Sequence, residues 1–102
     1  MDEYEFIVYD KILSLVHNEG LYHYDSLRID LTEEMNPDSN IKHMICVTAC
    51  DRLINEYSLL NYSGNIVTLT ITGRIAQKIG FKYFLILHYL ASPFKHILNL
   101  IK

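Results

Sequence analysis

Hydrophobic positions in the first half of the chain recur at helical spacing. Tyr4, Val8, Ile12, Leu15 and Val16 line one side, and Tyr9 and Leu13 widen the stripe. This predicts an amphipathic helix over residues 3–18. Its other side, Glu3, Asp10, Lys11, Ser14, His17 and Asn18, is polar apart from Ile7, and Gly20 is placed to end it in a left-handed cap. After Leu21-Tyr22-His23 comes a second helix, capped by Asp25 or Ser26, with Leu27, Leu31 and Met35 at intervals of four and a stop at Asn36-Pro37. Asp38, Ser39 or Asn40 caps a third, running to about Tyr57 with Cys46, Ala49, Cys50, Leu53 and Tyr57 inward.

The period then changes. Leu59-Leu60 and Ile66 to Leu69 flank Asn61-Tyr62-Ser63-Gly64-Asn65, where Gly and Asn tolerate the positive φ of a tight reversal. An antiparallel hairpin follows. In LTITGR, Leu69 points inward, the Thr70 hydroxyl caps the next helix, and Gly73, lacking a Cβ, lets that helix start close to the hairpin. Beyond Arg74, Ile75, Ile79, Tyr83, Ile86 and Leu90 form one stripe and Phe81, Phe84, Leu85 and His88 a second, about 150° away at 100° per residue. The first stripe is expected to pack on the core. The second needs a partner. Ser92-Pro93 interrupts, and Phe94, Ile97, Leu98 and Ile101 suggest a final short helix.

Element order, the run DRLINEYSLL into the hairpin and LTITGR out of it resemble the winged helix-turn-helix superfamily. The fold class implied is α+β, mainly α with one small hairpin. Residues 1–74 would form the winged-helix core and 75–102 a C-terminal helical segment that makes a dimer. The resemblance also implies that the third helix enters the DNA major groove while the wing touches the backbone. On that reading Lys42, His43, Thr48, Arg52 and Asn55, together with Tyr62 and Asn65 of the wing, contact DNA, with Arg52 best suited to guanine. Met44, Ile45 and Asp51 share the outward face.

Charge is divided along the chain. Residues 1–38 hold Lys11 and Arg28 against ten acids, a net of −8, whereas residues 39–102 hold seven cations against Asp51 and Glu56, a net of +5. The basic half permits a polyanion-facing side. Few cations lie on the third helix, so DNA affinity would rest on a homodimer that places two modules on neighbouring half-sites. Phe81, Phe84, Leu85, Ile97, Leu98 and Ile101, with His88 beside them, are the expected dimer interface. Burying the six apolar side chains would contribute roughly 9–18 kcal/mol before the cost of association. A homodimeric transcriptional regulator is one expectation. A protein-interaction module that uses Met44, Ile45 and the terminal helices is the other.

Cys46 and Cys50, four apart in a helix, suit buried packing better than a disulfide or zinc site, and fit a reduced cytoplasmic setting. The five histidines lack metal-binding spacing. There is no phosphate-cradling glycine loop or nucleophile elbow, so neither an enzyme nor a cofactor nor a small-molecule ligand is expected. MDEYEF is acidic where a secretion signal is basic. The uncharged stretch from Tyr83 to Phe94 falls short of the roughly 20 residues a membrane span needs. An in-plane anchor is its membrane alternative.

Overall fold

The computed structural model describes residues 3–16 and 22–90. The elements are α1 (Glu3–Leu15), α2 (Tyr24–Met35), α3 (Asn40–Asn55), β1 (Leu60–Ser63), β2 (Ile66–Leu69) and α4 (Ile71–Ile79). A further helix, α5, occupies 81–90. The protein is mainly helical with one two-stranded antiparallel hairpin, an α+β architecture.

Each boundary has a local cause. Ser39 accepts a hydrogen bond from the Lys42 amide at 3.2 Å and starts α3. The α2 start differs from expectation: its N-cap is His23, whose side chain makes no capping bond, because the preceding backbone is held by the hairpin. His23 forms an antiparallel bridge to Ile66, the Tyr24 amide donates to the Asn65 carbonyl and the Val67 amide to the Tyr22 carbonyl, both at 2.8 Å. The hairpin turn is tighter than the sequence suggested. Only Gly64 (φ 56°) and Asn65 (φ 65°) separate Ser63 from Ile66, and positive φ at both suits a turn whose twist matches the strands. Gly20 lies outside the described residues.

The junction of hairpin and α4 follows the sequence reading. Thr70 accepts from the Gly73 amide at 2.9 Å and donates to the Ser58 carbonyl at 2.8 Å. A Cβ on Gly73 would collide with the Leu59 carbonyl oxygen and lie 3.0 Å from its carbon and 3.3 Å from Leu69 Cδ2. Glycine is required there by space.

Two expectations for the C-terminal part are overturned. Gly80, at φ 93°, ends α4, so 71–90 is two helices instead of one. The two stripes also exchange places. Phe81, Phe84 and Leu85 are core residues at 0, 7 and 9 % exposure, whereas Ile75, Ile79, Tyr83, Ile86 and Leu90 are exposed. On α4 it is the small residues Gly73 and Ala76 that face inward, and the missing Cβ of Gly73 allows the close approach to Leu59. The Phe81 ring stacks on Tyr9 at 4.3 Å and meets the edge of Tyr57 at 5.3 Å. Phe81, Phe84 and Leu85 therefore offer no free surface for a dimer, and His88 lies beside the Tyr57 and Phe84 rings. Ile97, Leu98 and Ile101 lie outside the described residues.

Polar contacts fix both helices to α1. Gln77 Nε2 donates to the Leu13 carbonyl at 2.6 Å and the Val16 carbonyl at 3.3 Å, which ties α4 to the C-terminal end of α1. Asp10 accepts from the Phe81 amide at 2.7 Å, a carboxylate at the α5 N-terminus. The 74/75 boundary drawn from sequence falls inside α4.

Candidate interaction surfaces

The outward side of α3 is apolar at its start and polar further on. Ile41 is 76 % and Met44 57 % exposed, and together with Asn40, Ile45 and Thr48 they line a shallow hollow. The polar groups expected to read DNA are largely engaged within the chain. Lys42 Nζ lies 3.2 Å from the Asp38 carboxylate and 5.2 Å from the centre of the Tyr4 ring. The Thr48 hydroxyl donates to the Met44 carbonyl at 2.9 Å. His43 and Asn55 are exposed. Asp51, also exposed, accepts from the Tyr24 hydroxyl at 2.9 Å.

Arg52 is the largest departure from expectation. Its Nε donates to Glu56 at 2.7 Å, one terminal nitrogen donates to the Tyr57 hydroxyl at 3.2 Å, and the other lies 3.7 Å from the Glu5 carboxylate. The guanidinium also sits over the Tyr9 and Tyr57 rings, at 5.9 and 5.7 Å. Its neighbours raise its pKa further, chiefly through the Glu56 hydrogen bond, and the same bond holds the Glu56 carboxyl below the usual carboxylate range. A guanidinium so occupied joins α3 to α1; contacting guanine would require breaking this network.

Between α2 and α3 lies a groove of about 510 Å³, lined by Asp25, Arg28, Ile29, Leu31, Thr32, Glu33, His43, Cys46 and Val47. Ile29, Leu31, Cys46 and Val47 are its apolar lining, and Asp25, Glu33 and Arg28 its charged residues. Ile29 is 59 % exposed. Both thiols of this region are buried, and burial pushes Cys50 up to about 12. They are packing groups. Over the α2–α3 stretch, 24–56, three cations face seven carboxylates, a net of −4. On the wing, Tyr62 meets the Tyr24 ring edge-on at 5.2 Å, and the Asn65 amide lies 3.5 Å from Asp25. No cation stands on the hairpin.

The sequence reading named His43 but missed Ile29, Ile41 and the groove. A signal existed: both isoleucines fall outside their helices' inward stripes. Among the described residues no cluster of His, Cys, Asp or Glu could hold a metal, and no helix is long and apolar enough to cross a membrane. Comparison with family profiles, characterised proteins and solved structures returned no match.

Proposed function

We propose that the chain is a winged-helix module that binds another protein, taking a basic amphipathic helix of that partner into the groove between α2 and α3. The winged-helix reading is supported by the element order and by the Tyr22–Tyr24 segment, which adds a third, one-rung strand beside β2. The observation that carries the partner reading is the groove itself, lined by Ile29, Leu31, Cys46 and Val47 with Asp25 and Glu33 against Arg28, on an α2–α3 stretch of net charge −4. Exposed Ile29 would receive apolar side chains spaced three and four apart, while Asp25 and Glu33 would pair with lysines or arginines flanking them. DNA binding draws most of its affinity from cations on phosphates. Here Lys42 pairs with Asp38 and Arg52 with Glu5 and Glu56, and the stretch 24–56 carries a net charge of −4. A homodimeric DNA-binding regulator is thereby disfavoured.

Paired selections test this. Displayed random helical peptides should enrich Lys and Arg beside apolar residues at helical spacing, and Asp25→Lys with Glu33→Lys should abolish that enrichment. Random double-stranded DNA should enrich nothing. A selected DNA motif, or peptides without a charge bias, would return the choice to nucleic acid.

A further inference from the structure

Among the described residues, the outward side of each of α4 and α5 serves neither the core nor the groove. In α4, at about 100° per residue, Arg74, Lys78, Ile71, Ile75 and Ile79 occupy the arc opposite inward-facing Gly73 and Ala76. Ile71 is 80 % and Ile75 51 % exposed. In α5, with Phe81, Phe84 and Leu85 buried, the outer arc carries Tyr83, Ile86, Leu87 and Leu90, exposed by 50 to 66 %. Residues 57–90 contain Arg74, Lys78 and Lys82 and no carboxylate. Among the described residues neither Arg74 nor Lys78 has an ion-pair partner, and Lys82 Nζ lies 5.7 Å from the Phe6 ring centre.

We infer that this side docks on the surface of a lipid bilayer carrying anionic headgroups, with α4 and α5 lying in the interface. Ile, Leu and Tyr side chains enter the boundary of the acyl chains while the flanking Arg and Lys reach lipid phosphates. Tyrosine, apolar in body and polar at its tip, suits that depth. A second copy of the chain fits less well, because it would bring Arg74 and Lys78 of both copies into one interface. The acidic α2–α3 stretch is repelled by the same lipids. This inference stands apart from the groove reading, since the two use different residues.

Sedimentation of the full chain with neutral phosphatidylcholine vesicles, and with vesicles in which about a third of the lipid is phosphatidylserine, tests it. Binding to the anionic vesicles is expected, weakened roughly thirtyfold by Arg74→Ala with Lys78→Ala, at about fivefold per cation. Tyr83→Ser with Leu90→Ser should abolish binding and leave the thermal midpoint unchanged. Absence of binding to the anionic vesicles, or equal binding to both kinds, would overturn the inference. So would a dimer mass by light scattering that Tyr83→Glu reduces to the monomer's, which assigns the face to a second copy. A fall of more than a few degrees in the midpoint of the Tyr83→Ser, Leu90→Ser variant, without vesicle binding, would show that the chain itself covers the face.

Discussion

Between residues 24 and 56 the surface carries seven carboxylates to three cations, and each cation lies against a carboxylate or an aromatic ring. Between 57 and 90 every charge is positive, and Arg74 and Lys78 stand on an exposed arc of isoleucines. The chain's net charge of −3 conceals this division. A count of basic residues therefore says little about what a surface attracts. Arg52 has its donors on Glu56, Glu5 and Tyr57, whereas Arg74 has no ion-pair partner among the described residues.

The comparison depends first on α5 being held by its aromatic side. Phe81 is fully buried and its ring contacts Tyr9, Tyr57, Phe6 and Phe84. Phe81→Ala should cost about 3–5 kcal/mol in urea unfolding, as large-to-small core substitutions do. A cost under about 1 kcal/mol would mean that the other stripe packs inward, and the two regions would have to be redrawn. Gly73→Ala should cost about 3 kcal/mol, because the new methyl meets backbone at Leu59 and not a side chain that can turn away. The hairpin or α4 would have to shift to admit it.

Much of this framework is legible in the residues. The α1 stripe, the inward side of α3, Ser39 among the offered caps of α3, and the Thr70 and Gly73 roles follow from spacing and side-chain chemistry. The C-terminal stripes do not, for two physical reasons. Gly80 breaks the helix, so phases counted across it lose meaning, and α4 docks by its smallest residues where a hydrophobicity pattern points to its isoleucines. Nor is the fate of Arg52 legible. Glu56 is four residues away on the same helix, but Glu5 reaches the guanidinium only through the packing of α1 on α3.

Alkaline pH separates packing from surface chemistry. Burial pushes the Cys50 thiol up to about 12 from its ordinary 9.0, and Tyr9 up to about 12 from 10.0. Groups raised in the folded state contribute stability that is complete below their unfolded values and lost as pH climbs toward the folded ones. Urea midpoints should thus hold up to about pH 9 and then fall, with a slope approaching 1.4 kcal/mol per pH unit for each group titrating only in the unfolded chain. A Cys50→Ala variant should show a shallower decline above pH 9. An unchanged profile would show that the thiol is not held neutral by burial.

Arg52→Ala should cost about 1 kcal/mol, since its ion pairs are partly exposed and screened by solvent while its stem covers Tyr9 and Tyr57. The more telling readout is Glu56. Without its hydrogen bond from Arg52, the Glu56 carboxyl should titrate closer to the usual carboxylate range, followed by carbon-detected NMR. Because its folded pKa is depressed, its contribution is present above the ordinary value and disappears as pH falls through the folded one. If Glu56 titrates identically in parent and variant, Arg52 is not held by Glu56, and its role in joining α3 to α1 must be reassessed.

The smallest effect is expected from the exposed arc. Ile75→Ser and Tyr83→Ser each remove a large apolar side chain, a change that in a core would cost several kcal/mol. Here Ile75 is 51 % and Tyr83 66 % exposed, so water already covers much of what is removed. Serine lies near isoleucine and tyrosine in helix preference, so the backbone contributes little to the difference. Each variant should fall within about 0.5 kcal/mol of the parent in urea unfolding. Paired with Phe81→Ala, the experiment measures the buried and the exposed positions of 71–90 by the same method. A loss above about 1.5 kcal/mol at either position would show that this face is packed within the protein; the positive side would then cease to be a surface, and the contrast with the acidic groove would reduce to charge alone.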